Sequence, residues 1–157
     1  MSNPLLDMAG LPPFSAIKPE HVGPAIDRLL AENRERIETL LDANEHYSWD
    51  NLVQPIEDMD ERLGRVWSPV SHMNSVVNTD ALREAYNACL PKLSEYSTEM
   101  GQHERLYQAY KQIAEGDEYA TLSTAQKKII DNALRDFRLS GVALNAADKA
   151  RYKAIMQ

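Results

Sequence analysis

Leu52, Ile56, Met59, Leu63, Val66, Val70, Met73 and Val77 recur at alternating steps of four and three residues, which draws one apolar line along a long helix. A second line follows at once through Leu82, Tyr86, Cys89, Leu93, Tyr96, Met100, His103, Tyr107, Tyr110 and Ala114. A helix with one apolar face has to bury it against another element, so two such lines in succession call for helices packed side by side. No stretch alternates apolar and polar residues like a half-buried strand, and no repeat of solenoid length occurs. The fold class expected is all-α: a bundle-like helical lobe of about six amphipathic helices preceded by an irregular N-terminal arm.

The arm covers residues 1–18, where Pro4, Gly10, Pro12 and Pro13 break helical backbone, while Phe14 and Ile17 supply apolar contacts to a core. Helices occupy residues 19–157, and the whole of 1–157 reads as one lobe. The first helix opens at Pro19 with Glu20 at its positive end, buries Val22, Ala25, Ile26, Leu29, Leu30, Ile37, Leu40 and Leu41, and stops before Asn44. Ser48 is the N-cap expected for the next, with Pro55 early enough to cost little. Pro69 forfeits the bond to the Arg65 carbonyl, yet the apolar line continues past it, so a bend is expected there rather than an end. Asp58 with Arg62 and Glu61 with Arg65 mark the wet face.

Thr79 or Asn78 caps the following helix. From Leu82 to Ala114 a straight helix would run about 50 Å, so a break or bend is expected at Pro91 or Gly101. Glu115, Gly116 and Asp117 form a turn, Ser123 or Thr121 opens another helix, and Gly141 ends it with a left-handed residue. Asn145 then caps a last amphipathic segment with Ala147, Ala150, Ala154 and Ile155 on one side. With no stop signal before Gln157, the chain is expected to end inside a helix.

Charge narrows the partners. Seventeen Lys and Arg stand against 24 Asp and Glu, a net charge of -7, and such a surface repels phosphate backbones and anionic lipid. Neither nucleic acid nor a membrane is an expected partner. The amino terminus has no basic, apolar signal pattern, and no window approaches the ~20 apolar residues of a spanning helix. The lone Cys89 lies on the second apolar line and reads as a small buried hydrophobe, which suits a reducing compartment; the cytoplasm is the expected location.

Several residues could carry chemistry, and each has a plainer role. His103-Glu104-Arg105-Leu106-Tyr107 resembles the zinc motif H-E-x-x-H, in which two imidazoles four apart share a metal and the Glu activates water, but a phenol stands in the second ligand position. His103 is therefore expected to be a packed or rim histidine. His21, His46 and His72 are isolated from one another and from Cys89, and take solvent or capping roles. Glu57, Asp58, Asp60 and Glu61 fall on the polar side of a helix with arginines in reach, so they read as a solvated face rather than an acid and base pair. The glycines at 10, 23, 64, 101, 116 and 141 form no phosphate loop, and no G-x-S-x-G occurs. Trp49, Trp67, Tyr86, Tyr96, Tyr107 and Tyr110 sit at helical spacing and read as core aromatics. The expectation is no catalytic residue, no cofactor-binding residue and no metal ligand in this sequence.

Function enters through resemblance. Asn3-Pro4-Leu5-Leu6, Leu11-Pro12-Pro13-Phe14, Lys18-Pro19-Glu20-His21-Val22, Trp49-Asp50-Asn51-Leu52, Trp67-Ser68-Pro69-Val70-Ser71-His72-Met73-Asn74, the run from Leu82 to His103, and Asp131-Asn132-Ala133-Leu134-Arg135-Asp136-Phe137 followed by Leu139-Ser140-Gly141 together resemble the amino-terminal part of the thimet-oligopeptidase family of zinc metallopeptidases. The resemblance spans almost the whole chain. It implies a helical lobe forming one wall of a deep channel, with the zinc and its H-E-x-x-H helix in a catalytic domain that follows and is missing here. No zinc ligand of the family can be carried onto a position of this sequence.

Short peptides and that missing catalytic domain are the partners so implied, with zinc the cofactor of the parent enzyme and none in this fragment. The fragment alone is expected to be inactive, and an apolar patch is expected where the missing part would dock. The alternative is a self-standing helical binding module without catalysis.

Overall fold

The computed structural model describes residues 3–8 and 10–156. The arm expected over 1–18 is thus seen except at residues 1, 2 and 9, which lie outside the described residues, as does Gln157. Among the described residues the elements are all helical: α1 (Pro19–Asp42), a π-helical turn (Trp49–Val53), α2 (Gln54–Val76), α3 (Asp80–Gly101), α4 (Glu104–Glu115), α5 (Glu118–Thr121), α6 (Thr124–Leu139) and α7 (Ala146–Met156). The chain divides into two compact units, one of Met1–Glu35 with Asp58–Leu93 and one of Arg36–Glu57 with Ser94–Gln157.

In the first unit the buried residues include Leu5 and Ile17 of the arm, Val22, Ala25, Ile26, Leu29, Leu30 and Asn33 of α1, Val66, Pro69 and Val70 of α2, and Leu82 and Cys89 of α3. The arm is tied down by Asn3, whose Nδ2 donates to the His21 carbonyl at 2.9 Å and whose Oδ1 accepts from the Leu5 N–H. Phe14 meets the His72 ring at 5.8 Å but stays 44% exposed, so of the two anchors expected in the arm only Ile17 is buried. Trp67 stacks on Tyr86, ring centroids 4.7 Å apart, but both rings are only half-buried; of the six aromatics expected in a core, Trp49, Tyr96 and Tyr110 are buried and Tyr107 is half-buried as well.

α2 continues through Pro69 to Val76, because the buried face it carries outweighs one lost backbone bond. Asn78, at φ 48°, then reverses the chain in the left-handed region that Asn tolerates, and the Thr79 hydroxyl accepts from the Leu82 N–H to cap α3. Arg65 pairs with Glu61 at 3.7 Å, as the spacing predicts, while Arg62 reaches Glu32 of α1 at 2.7 Å.

In the second unit Ser48 opens the π turn with a reciprocal capping box: its hydroxyl accepts from the Asn51 N–H and the Asn51 side chain accepts from the Ser48 N–H. The π turn closes when Gln54 N–H bonds the Trp49 carbonyl, leaving Pro55 in the first turn of α2 where a missing N–H costs little. α3 passes Pro91 intact and ends at Gly101. The chain makes a close approach there: a Cβ on Gly101 would lie 2.6 Å from the Ser140 Oγ, and Gln102 Nε2 donates to the Ser140 carbonyl at 3.0 Å.

α4 packs on α6 and α5. Its buried face is Leu106, Ala109, Tyr110 and Ile113, and α6 answers with Ile130, Leu134 and Phe137; burial of residues this size stabilises by about 1.5–3 kcal/mol apiece. Phe137 meets Tyr107 and Tyr110 edge to face at 5.8 and 5.7 Å.

Ser123 and Gln126 form a second capping box at the start of α6. Its end is a complete Schellman motif: Val142 N–H bonds the Phe137 carbonyl, Gly141 N–H bonds the Arg138 carbonyl, and Gly141 sits at φ 80°. Asn145 caps α7 by accepting from the Asp148 N–H. The inward face expected for α7 is not there: no residue of α7 is buried, and Ala147, Ala150, Ala154 and Ile155 are all exposed. Alanines present too little surface to drive docking, and the helix is held instead by Lys149 to Glu104, Lys153 to Glu95 and Ser94 Oγ to the Met156 carbonyl.

Candidate functional site

The pentapeptide that mimics a zinc motif straddles the start of α4. His103 is its N-cap: Nδ1 accepts from the Leu106 N–H at 3.2 Å, and Nε2 lies 2.8 Å from Glu38 Oε1. Because Nδ1 must accept there, the neutral ring carries its proton on Nε2 and donates it to Glu38. Both ring nitrogens are committed within the protein. Sequence placed His103 correctly as a packed histidine and missed the cap; the signal was available, since Gly101 two residues earlier is a breaker and Leu106 sits at N3.

Glu104 pairs with Lys149 at 2.5 Å, and that hydrogen bond holds its carboxyl below the usual range. Arg105 reaches Asp42 at 2.6 Å and Glu38 at 2.9 Å. His21 Nδ1 accepts from the Lys18 N–H at the start of α1, His72 faces Phe14, and the His46 carbonyl accepts from Asn51 Nδ2. Among the described residues no three His, Cys, Asp or Glu side chains gather to hold a metal ion. Cys89 is fully buried, and burial pushes its thiol up, away from the reactive thiolate. Asp58 and Glu61 of the acidic run line a small groove with Leu5, Leu6, Met8, Arg62, Arg65 and Val66, and Glu61 is paired there with Arg65.

A larger concavity runs along α4 in the second unit, with a volume of about 810 Å³. α4 gives it Glu104, Arg105, Tyr107, Gln108, Ala109 and Gln112, and the link from α6 to α7 gives Val142, Ala143 and Leu144. Tyr47 also lines it; its N–H donates to Gln112 Oε1 at 3.2 Å and its hydroxyl to the Leu41 carbonyl at 3.0 Å. The link is shaped by Gly141, where a Cβ would strike Leu144 Cδ1 at 2.5 Å. Glu104 and Tyr107 of the mimic pentapeptide thus share a groove, whereas His103 is turned to a capping role. No helix of the described residues is long and apolar enough to cross a membrane.

Comparison with known proteins adds a second kind of observation. The family described as Neurolysin/Thimet oligopeptidase, N-terminal domain, matches residues 26–149. Oligopeptidase A of Salmonella typhimurium is 57% identical over 99% of this chain, and Oligopeptidase A of Escherichia coli is 56% identical over the same share. A probable cytosolic oligopeptidase A of Arabidopsis thaliana is 33% identical over 99% of the chain. The chain spans 23% of the length of the two bacterial relatives and 22% of the plant one.

Proposed function

This chain belongs to the thimet oligopeptidase family as its N-terminal domain, and we propose that it is the leading part of a longer, cytoplasmic, zinc-dependent peptidase acting on short peptides. The observation that carries the reading is the 57% identity over 99% of this chain to a protein named Oligopeptidase A, of which the match takes up 23%. In this reading the domain lines a channel that admits flexible short peptides and turns folded proteins away, and hydrolysis belongs to the polypeptide that follows.

The residues present do not fit zinc. His103 spends one nitrogen on the α4 cap and the other on Glu38, and Tyr107 stands where the second imidazole would be needed. No catalytic step is therefore assigned to this chain, and its part in the reaction is selection by access. Incubating the purified chain with a quenched fluorescent short peptide, with and without added zinc, tests this division of labour. No turnover is expected in either condition. Zinc-dependent turnover that persists through further purification would overturn it.

A further inference from the structure

We propose that the outer face of α7 is the seat of the polypeptide that follows this domain in the longer protein; this rests on the reading above that the chain is the leading part of a longer peptidase. A helix on the outside of a globular protein turns its apolar side to the core and its charges to water. In α7 the two sides are reversed. The charges face in: Lys149 reaches Glu104 at 2.5 Å, Lys153 reaches Glu95 at 2.6 Å, and the half-buried Tyr152 lies on the same side of the helix. With about 100° between successive residues, Ala147, Ala150 and Ala154 fall on the opposite side with Ile155 at their edge, and all four are exposed, Ile155 at 73%.

An alanine row by itself drives little docking, but it lets a second element come close, since the distance between packed helix axes is set by the side chains between them. The apolar drive comes from Ile155 and from what the partner brings. That partner is selected by chain length and connectivity. The chain spans 23% of the length of the two bacterial relatives, so in a protein of that length most of the polypeptide follows this N-terminal domain. It leaves from the end of α7 itself, which tethers it at high effective concentration beside this face, and elements consecutive in sequence are usually neighbours in space. A free second copy has no such tether and carries the full entropic cost of association. An 11-residue helix is also marginal on its own, and no residue of α7 is buried by this chain, so the burial that would fix it comes from the polypeptide beyond.

The test is hydrogen exchange across Ala146–Met156, in this chain alone and in a chimera that carries it in place of the aligned segment of Escherichia coli Oligopeptidase A. Protection of α7 is expected to rise by about tenfold or more in the chimera and to lose its dependence on salt. The same measurement across the aligned segment of intact Escherichia coli Oligopeptidase A needs no chimera and should show the same protection. Ala150→Glu and Ile155→Glu, at exposed positions, should leave the melting temperature of this chain unchanged and lower that of the chimera, where each puts a carboxylate into a covered apolar face. Three results would each overturn the assignment: exchange in the folded chimera and in the intact enzyme as fast as in this chain, a lowered melting temperature in this chain alone, or a dimer of this chain that Ile155→Glu abolishes, which would give the face to a second copy. Zinc-dependent turnover reads the longer peptidase separately, so an active chimera whose α7 stays unprotected would overturn this assignment alone.

Discussion

At His103 one imidazole serves two elements: Nδ1 closes the first turn of α4 through the Leu106 N–H, and Nε2 lies 2.8 Å from Glu38 on α1. Removing a capping acceptor exposes an orphan backbone donor, so His103→Ala should lower unfolding free energy by about 1 kcal/mol, while His103→Asn, itself a good cap, should retain most of it. Urea denaturation of the three proteins checks this; equal stability of the parent and the alanine variant would contradict the capping role. The apolar periodicity runs through Met100, His103 and Tyr107, all three half-buried, and a periodicity is blind to where one helix stops and another starts. That boundary falls at Gly101, one of the two break points the sequence offers; what no local pattern announces is the close approach of Ser140, 39 residues further along, which leaves no room there for a Cβ. His21, expected in a solvent or capping role, has its ring accept the Lys18 N–H at the start of α1.

Among the elements, those with local punctuation were legible and those defined by tertiary contact were not. Ser48, Ser123 and Asn145 cap as their side-chain chemistry predicts, and Gly141 takes the left-handed position for which no Cβ is tolerated. The π turn at Trp49–Val53 and the one-turn α5 were not foreseen, for each is set by partners far off in sequence: Trp49 N–H donates to Glu118 Oε2, and the Tyr119 hydroxyl to Asp131 Oδ1.

α7 is the element where pattern misled, since a row of alanines reads as an apolar face but buries nothing. Its attachment by Lys149–Glu104 and Lys153–Glu95 has a consequence. An 11-residue helix is marginal on its own, and exposed ion pairs weaken as salt screens them, so hydrogen exchange across Ala146–Met156 should accelerate severalfold between low salt and 0.5 M NaCl. α6, docked by Ile130, Leu134 and Phe137, should not respond. Salt-independent protection of α7 equal to that of α6 would contradict this.

For the molecule as a whole, fold class and family were both readable from residues, because long amphipathic lines dictate helices and because strings such as Trp67-Ser68-Pro69-Val70-Ser71-His72 are specific. The candidate site was not readable. Its groove is assembled from α4, Tyr47 and the link after Gly141, and nothing in the spacing of those three segments says that they meet. This domain is proposed to shape access to chemistry carried elsewhere in a longer chain. Exchanging the aligned segment of Escherichia coli Oligopeptidase A for this chain, which matches it at 56% identity over 155 residues, measures that most directly. The account predicts a folded chimera that cleaves a quenched short peptide in a zinc-dependent manner and leaves a folded protein substrate intact; a folded chimera that binds zinc but cleaves no peptide would contradict it.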